Sequence, residues 1–283
     1  MIFKSKKTRF IINRIVTHIV LVFFGLMIAI PFLWMISTSL KPISEVWIFP
    51  PKWIPSKIMW ENYSAAFTKA PFLRYILNTL FVATAVVVAQ LFFTTLSAYA
   101  FSVLQFKGRD VLFFIILATL MIPYQMTFVP SYVILAKLKW LDTYLALTVP
   151  FFTSAFGIFL IRQSFKQVPR DLLDAARIDG AGHLRRIWNV MVPISYPTII
   201  TFSLFSFVYH YNDYFWPLIV TSSESVRTVP LGLAKFVQKQ GGYAQEWPVI
   251  MAANTIAIVP LIIVFLITQR YYIQGVATTG LKG

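Results

Sequence analysis

The stretch VPRDLLDAARIDGAGHLRRIWNVMVP, residues 168–193, interrupts an otherwise apolar chain with charge and glycine. It holds three of the ten acidic residues and four of the 25 basic ones, together with Gly180 and Gly182. Long apolar segments precede and follow it. This stretch decides how the chain is organised, because so many charges must lie outside any apolar layer that the neighbouring segments occupy.

Local signals predict two short helices in this stretch. Pro169 suits the first turn of a helix, where its missing N–H is no loss, and two aspartates follow near the positive helix end. Gly180 comes directly after DLLDAARID and is a natural stop. The first helix is therefore predicted over 169–179 and the second over about 183–192. At 1.5 Å per residue the first is about 16 Å long, too short to cross a bilayer.

The composition favours a membrane protein. Hydrophobic residues make up 58% of the 283-residue chain and charged residues 12%, whereas soluble domains carry roughly 25% charged residues. The formal charge of +15 is scattered in short gaps between apolar runs, which indicates orientation signals and no nucleic-acid surface. The absence of cysteine excludes disulfides, thiolate metal sites and a cysteine nucleophile.

The apolar runs predict an all-α integral membrane protein with six transmembrane helices, each needing about 20 mostly apolar residues. We expect one transmembrane domain over residues 1–283, without a separate soluble domain. The predicted spans are about 15–37, 75–98, 111–131, 143–164, 195–220 and 248–270. Proline and glycine interrupt several of them, which is tolerated where neighbouring helices satisfy the freed backbone groups.

Lysine and arginine predict the orientation of the chain. If the N-terminus is cytoplasmic, the inside segments carry 15 of the 25 basic residues and the outside segments carry 10. Because inside loops are enriched in these residues, both termini and the stretch 168–193 are predicted to be cytoplasmic. The outer segment 38–72 contains three tryptophans, which suit a membrane–water interface.

The surface of the first short helix predicts contact with a soluble partner. Leu172, Ala176 and Gly180 are spaced i, i+4, i+8, and small residues let another backbone approach closely. Asp174 and Asp179 can pair with basic residues of the approaching protein. The alternative is an interfacial helix that floats on the membrane, which would show bulky apolar residues on one face and lysines on the other. Both interpretations remain open from the residues alone.

The segment DAARIDGAGHLRRIWNVMVP resembles the EAA loop of ABC importer permeases. That motif reads EAA, three residues, Gly, nine residues, Ile, one residue, Leu-Pro. The corresponding residues here are Asp174, Ala175, Ala176, Gly180, Val190, Val192 and Pro193. The departures are Asp for Glu and Val for both Ile and Leu.

Three other segments are similar to the carbohydrate-type permeases of this family, so that the resemblance covers most of the chain. SLKPISEVWIFPPKWIPSKIMWENY (39–63) looks like their first outer loop and YNDYFWPLIV (211–220) like their fifth span. QRYYIQGVATTGLKG (269–283) is similar to their C-terminal tail. The four motifs occur in the expected order.

The resemblance implies a division of labour between several chains. Two different permeases form the pathway, two ATPase subunits sit beneath them, and an extracellular or periplasmic binding protein delivers the solute. The EAA loop forms a coupling helix that docks on the ATPase, here through Asp174, Ala175, Ala176, Asp179 and Gly180. This chain has no G-x-x-x-x-G-K-[ST] loop. The resemblance therefore implies that it is not an enzyme, has no cofactor or catalytic residue of its own, and relies on ATP and Mg²⁺ bound by the partner ATPase.

Polar and aromatic residues of the later spans are candidates for the solute pathway. Asn212, Asp213, Tyr214 and Trp216 lie in the outer part of the predicted fifth span, and Asn254 lies in the sixth. An acid at that depth is costly unless it is paired or hydrated. The alternatives are a helix end at the headgroup level or a pair with the partner permease for Asp213, and an interhelical hydrogen bond for Asn254. The three histidines show no metal-ligand spacing.

The expected function is a permease subunit of a carbohydrate ABC importer in a bacterial or archaeal cytoplasmic membrane. A permease of the same type for glycerol 3-phosphate is the near alternative. An ion-coupled carrier is more distant, because it would need paired acids deep in the spans and only Asp213 is available. An intramembrane enzyme would need catalytic ligands, and HYND at 210–213 lacks a nucleophile.

Overall fold

The computed structural model describes residues 6–239 and 246–280, and over this part of the chain every regular element is helical. The predicted all-α fold is therefore confirmed. Short 3-10 turns and one π-helical turn join or extend the helices. In chain order the helices are α1 (Lys6–Ser39), α2 (Glu61–Lys69), α3 (Phe72–Ser102), α4 (Arg109–Ala118), α5 (Phe128–Lys137), α6 (Tyr144–Thr148), α7 (Ala155–Phe165), α8 (Arg170–Ile178), α9 (His183–Arg186), α10 (Tyr196–Tyr211), α11 (Phe215–Val220), α12 (Val229–Lys239) and α13 (Trp247–Gly280).

Three helical segments in the described residues are each long and apolar enough to span a membrane unbroken: Phe10–Ser39, Phe72–Ser102 and Trp247–Tyr271. They contain the predicted first, second and sixth spans. Pro31 and Pro260 lie inside the first and last of these helices. The helices continue past both prolines, as expected where lipid leaves the backbone no other hydrogen-bond partner.

The predicted third and fourth spans correspond to bent pairs of helical segments, whereas the predicted fifth span shares only Tyr196–Tyr211 with a third pair. The described residues provide up to six spans if each pair is one span. The angles are 96° between Arg109–Met121 and Tyr124–Lys137, 41° between Tyr144–Phe151 and Ala155–Phe165, and 85° between His183–Ile194 and Tyr196–Tyr211. Pro123 lies at the first bend and Pro197 in the first turn after the third. Proline has no N–H to donate and disfavours helical geometry in the preceding residue, which explains both breaks.

The predicted fifth span, 195–220, differs from the structure at its outer end. Helix α10 ends at Tyr211, and α11 begins only at Phe215. The apolar run continues across this break, and hydropathy alone therefore does not reveal it. Pro217 favours a new first turn in α11, because its missing N–H is not needed there.

Contacts within the chain divide it into two compact units. Met1–Pro71 and Lys235–Ile256 form the first, and Phe72–Ala234 and Ala257–Gly283 form the second. A single domain over residues 1–283 stays a prediction. Helix α13 contributes residues to both units.

A buried glutamate organises the loop after α1 in the first unit. Glu45 accepts hydrogen bonds from the Ser56 hydroxyl and from the Ser56 N–H at 3.1 Å, and Lys52 Nζ lies 3.2 Å from its carboxylate. These interactions hold the pKa of Glu45 below its usual value, Ser56 contributing most. The carboxylate therefore supports the loop at neutral pH and loses that role only in acid. Nearby, the Lys41 ammonium lies 3.8 Å from the centre of the Trp34 ring.

Helix α3 forms the centre of the second unit, packed against α7 and α10. Asn78 near its start contacts the loop 221–228, whereas Tyr99 near its end contacts His183. These two residues are about 30 Å apart along the helix, which matches the thickness of the hydrocarbon layer. The segments predicted to be on opposite sides of the membrane thus meet opposite ends of α3.

Gly157 marks a close approach between α7 and α10. A Cβ at this position would lie 2.4 Å from Cζ of Phe202. We expect Gly157→Ala to lower the free energy of unfolding of the purified chain by about 1–3 kcal/mol, because the Phe202 ring must move. Gly25→Ala is the matched control, since a Cβ there has no neighbour within 4 Å. Equal melting temperatures for the two variants in detergent would contradict this packing, and Phe202→Leu should partly rescue Gly157→Ala.

Candidate functional site

The stretch 168–193 forms the helix, turn and second helix that its sequence predicts. Helix α8 begins at Arg170, directly after Pro169, and ends at Ile178. The chain then reverses at Gly180, whose φ of +76° lies in the left-handed region. Hydrogen bonds from Ala181 N to the Ala176 carbonyl (2.9 Å) and from Gly180 N to the Arg177 carbonyl (3.1 Å) complete a Schellman motif. Glycine is favoured here because most other residues pay a steric cost at this φ.

The second helix of the stretch contains a local irregularity. Helix α9 begins at His183 and passes into a π-helical turn at Ile187–Met191 before the segment ends at Ile194. A π-helical turn of this kind frequently occurs at functional sites, because it offsets the side chains on either side of it. Here it lies between the turn at Gly180 and the sharp bend that leads into α10.

One face of the stretch 168–193 packs against the other helices of the second unit. Leu173 is 9% exposed, and Ile187 and Met191 are buried further still. They belong to one apolar cluster with residues from α3, α7 and α10. The buried members of the cluster are Ala98, Tyr99, Ile161, Phe165, Val168, Leu173, Ile187, Met191, Ile199 and Phe202. Helix α8 is therefore held against these helices by close-packed side chains.

Most of the predicted docking residues lie on the exposed side of α8 and in the turn after it. Asp174, Ala175, Asp179 and Gly180 are exposed, and Ala176 is half-buried. Among the residues that the structure describes, neither Asp174 nor Asp179 forms a salt bridge. Their carboxylates are thus available to a basic partner.

Of the exposed apolar side chains in this segment, the sequence singled out Leu172 but not Ile178 or Leu184. Ile178 is 87% exposed, Leu184 63% and Leu172 46%. Together with the two acids they form a surface of mixed character, with small residues at its centre. A floating interfacial helix would instead separate a broad apolar face from a basic one.

A histidine joins the turn to α3. His183 Nδ1 lies 3.1 Å from the Tyr99 hydroxyl and 3.1 Å from Arg186 Nη2, and its ring meets the Tyr99 ring edge-on at 5.9 Å. With Arg186 as donor, Nδ1 is the acceptor in this arrangement. Sequence reasoning assigned His183 no role, because its partner Tyr99 is remote in the chain and no local pattern connects the two.

Three of the predicted pathway residues, Asn212, Asp213 and Tyr214, lie at the break between α10 and α11. Asn212 is exposed, and its side-chain amide donates to the Val208 carbonyl at 2.8 Å. Asp213 is half-buried, and its carboxylate accepts a hydrogen bond from Trp216 N at 3.3 Å. The acid thus caps the start of α11, where the positive helix end stabilises a negative charge. Tyr214 is also half-buried.

Trp216 and Asn254 occupy different surroundings from these three residues. Trp216 is 1% exposed, and its indole N–H donates to the Ala146 carbonyl at 2.8 Å, as a core residue does. Asn254 belongs to the first unit and donates to the Ile250 carbonyl of its own helix at 2.9 Å. The structure therefore groups Asn212, Asp213 and Tyr214 at one break in the second unit.

A buried polar junction connects α3 with α10 and with the break before α7. Gln90 donates to the Phe151 carbonyl at 2.8 Å and accepts from the Ser206 hydroxyl at 2.7 Å, and His210 Nε2 lies 3.4 Å away. The Phe151 carbonyl is freed from a continuous helix by the bend that follows it. Gln90 supplies the replacement hydrogen bond that apolar surroundings demand.

The loop 221–228, which is predicted to be on the outer side, is fixed at the other end of α3. Asn78 donates to the carbonyls of Ser225 (3.0 Å) and Arg227 (2.9 Å). Asp142 accepts from Ser222 N and Ser223 N, both at 2.9 Å. Burial alone would raise the pKa of Asp142, but these hydrogen bonds hold it below its usual value. Sequence reasoning missed Asp142 because nothing local marks a carboxylate that binds a loop much later in the chain.

Sequence comparison identifies relatives over nearly the whole chain. A family described as binding-protein-dependent transport system inner membrane component matches residues 90–278. The sn-glycerol-3-phosphate transport system permease protein UgpE of Yersinia pestis is 34% identical over 265 residues, covering 91% of this chain and 94% of the relative. The arabinooligosaccharides transport system permease protein AraQ of Halalkalibacterium halodurans is 30% identical over 286 residues, covering 99% and 100%.

Structure comparison agrees with the sequence relatives. The chain is similar to one chain of a bacterial ABC transporter involved in the import of the acidic polysaccharide alginate. The TM-score is 0.83 at 27% identity, over 96% of this chain and 100% of that one. A second crystal structure of a bacterial alginate ABC transporter, in complex with a periplasmic protein, shares the fold at a TM-score of 0.63 and 13% identity.

Proposed function

The chain belongs to the family of binding-protein-dependent transport system inner membrane components, and we propose that it is a permease subunit of an ABC importer for an oligosaccharide or sugar derivative. The family match over residues 90–278 carries this proposal. The arabinooligosaccharide relative and the alginate transporter support a carbohydrate as the solute. The three candidates at the break between α10 and α11 also suit a sugar, because Asn212, Asp213 and Tyr214 combine an amide, a carboxylate and an aromatic ring and include no cation.

Glycerol 3-phosphate is the second candidate solute, and the 34% identity to a sn-glycerol-3-phosphate permease favours it. Uptake of labelled solute by vesicles that contain the complete transporter separates the two. Competition by unlabelled oligosaccharide, with none by glycerol 3-phosphate, supports the carbohydrate. Competition by glycerol 3-phosphate, with none by oligosaccharide, would make glycerol 3-phosphate the proposed solute instead.

In the proposed transporter this chain pairs with a second, different permease, and two ATPase subunits bind from the cytoplasm with ATP and Mg²⁺. A solute-binding protein delivers the solute from outside, and both termini of this chain are cytoplasmic. The ATPase docks on Asp174, Ala175, Ala176, Asp179 and Gly180. The exposure of these groups and the anchoring of Leu173 support that role, since a coupling element must be accessible on one side and rigidly attached on the other.

A pull-down of the tagged chain from its native membrane in mild detergent tests this assembly. Mass spectrometry should find one second permease and two ATPase copies per tagged chain. Recovery of the chain alone, or of a homo-oligomer without ATPase, would favour an ion-coupled carrier over an importer as the function of this chain.

Charge reversal at Asp174 should weaken ATPase binding. We expect Asp174→Lys to reduce the ATPase recovered in the pull-down by about tenfold at low salt, because a charge-assisted pair of roughly 1.5–3 kcal/mol becomes a repulsion. Glu61→Lys is the matched control, since Glu61 is exposed in α2 within the predicted outer segment. Equal recovery for Asp174→Lys and Glu61→Lys at low and high salt would show that Asp174 is no docking residue.

A further inference from the structure

A polar cavity lies at the turn between α3 and α4. It has a volume of about 410 Å³ and opens on the same end of the second unit as the docking segment. Gly108 adopts a φ of +80° there, which turns the chain sharply into α4. The cavity is lined by Gln105, Phe106, Gly108, Arg109, Asp110 and Val111.

The charges around this cavity leave an excess of cations. Arg109 Nε and Arg162 Nη2 lie 3.2 Å and 3.6 Å from the same oxygen of Asp110, and Lys166 is within electrostatic reach of it. Lys107 is exposed on the turn itself. Three cations, Arg109, Arg162 and Lys166, thus share one carboxylate, and the exposed Lys107 on the turn is not among its partners.

Arg162 of α7 stabilises the turn that forms the cavity. It is 5% exposed, donates to the Phe101 carbonyl at 3.0 Å, and stacks its guanidinium 3.8 Å from the Phe113 ring centre. Arg109 also donates to the Leu104 carbonyl at 3.2 Å. The turn is therefore fixed by side chains from two helices, and Arg109 and Arg162 keep their positions without a ligand.

An apolar surface continues directly from the cavity along α4. Val111 is 64% exposed, Leu112 48%, Phe114 68% and Ile115 58%. Phe106, at the rim of the cavity, is 41% exposed. A ligand that matches both surfaces has an anionic head and long apolar tails. A free phosphate ion would use the cations alone and leave the apolar surface uncovered.

We propose that this turn binds the headgroup of an anionic phospholipid, with the phosphate on Lys107 and Arg109 and the acyl chains along α4. Basic pockets at helix ends recognise such headgroups by charge, at the depth where the apolar surface meets water. The proposal rests on the proposed membrane placement of the chain. It requires neither solute transport nor ATPase binding.

Native mass spectrometry of the detergent-purified transporter, titrated with short-chain phosphatidylglycerol, tests this site. The double variant Lys107→Gln/Arg109→Gln should bind the lipid about thirtyfold more weakly, which corresponds to about 2 kcal/mol for two basic groups. Lys137→Gln/Lys139→Gln is the matched control, because it removes two cations from the predicted outer side. Phosphatidylcholine should not replace phosphatidylglycerol, and inorganic phosphate should not displace it.

Three results would overturn the proposal. The first is equal lipid affinity of the double variant and the unmodified chain. The second is an equal loss in the Lys137→Gln/Lys139→Gln control, which would show unspecific charge binding. The third is complete displacement by inorganic phosphate, which would reduce the site to a phosphate-ion site. A pull-down without ATPase would refute the importer and leave this measurement unaffected.

Discussion

Replacing Gly180 with valine should reduce ATP-driven solute uptake by about tenfold or more while leaving the chain inserted in the membrane. Gly180 has a φ of +76° and completes the Schellman motif at the end of α8. A β-branched residue in this conformation costs about 1–3 kcal/mol, so that the turn would adopt another geometry and displace Asp179 and Ala181. Uptake by vesicles, normalised to the amount of inserted chain, measures the effect.

Gly180→Asn separates the backbone requirement from direct contact. Asparagine adopts the left-handed conformation readily, and a Cβ at Gly180 has no neighbour within 4 Å in this chain. If only the backbone conformation matters, Gly180→Asn keeps most of the uptake. If the ATPase backbone approaches this position closely, both variants lose uptake and ATPase recovery. Normal uptake by Gly180→Val would refute the docking role of this turn.

Shortening Leu173 should uncouple the docking helix from the membrane helices. Leu173 is 9% exposed within the apolar cluster, whereas its neighbour Leu172 is 46% exposed. Leu173→Ala leaves a cavity under α8, and such substitutions cost about 2–5 kcal/mol in a well-packed site. We expect solute-stimulated ATPase activity to fall severalfold and backbone hydrogen exchange in 170–178 to rise.

Leu172→Ala is the matched control for this prediction, because it removes the same atoms from an exposed position next to Leu173. It should leave hydrogen exchange in 170–178 unchanged and reduce only the ATPase recovered with the chain. Similar exchange in both variants would mean that Leu173 does not anchor α8. The two leucines are adjacent in sequence, and only their burial distinguishes them.

Local rules account for the agreement between sequence and structure in the docking segment. Pro169, the aspartates of the first turn and Gly180 specify a helix start and a stop through short-range hydrogen bonds and allowed φ values. The predicted helix 169–179 is observed as Arg170–Ile178. Helix ends of this kind depend on neighbours within a few residues, and a sequence displays these directly.

The pathway candidates illustrate where local reasoning reaches its limit. Asn212, Asp213, Tyr214 and Trp216 are nearly consecutive, and the sequence treated them as one group on a continuous span. The structure ends α10 at Tyr211, uses Asp213 to cap α11, and buries Trp216 against Ala146. The role of Trp216 depends on Ala146, which is far away in the chain. The role of Asp213 depends on the break after Tyr211, which the hydropathy of the sequence does not reveal.

The sequence by itself determined that this chain is an apolar all-α membrane protein with a charged, glycine-terminated helix in its middle, because composition, proline and glycine act locally. Only the tertiary structure decided which leucine of that helix faces inward, that His183 meets Tyr99, and that Gln90 and Asp142 satisfy distant backbone groups. The physical reason is that buried polar groups and close-packed side chains find their partners through space. Such partners can be any distance apart along the chain.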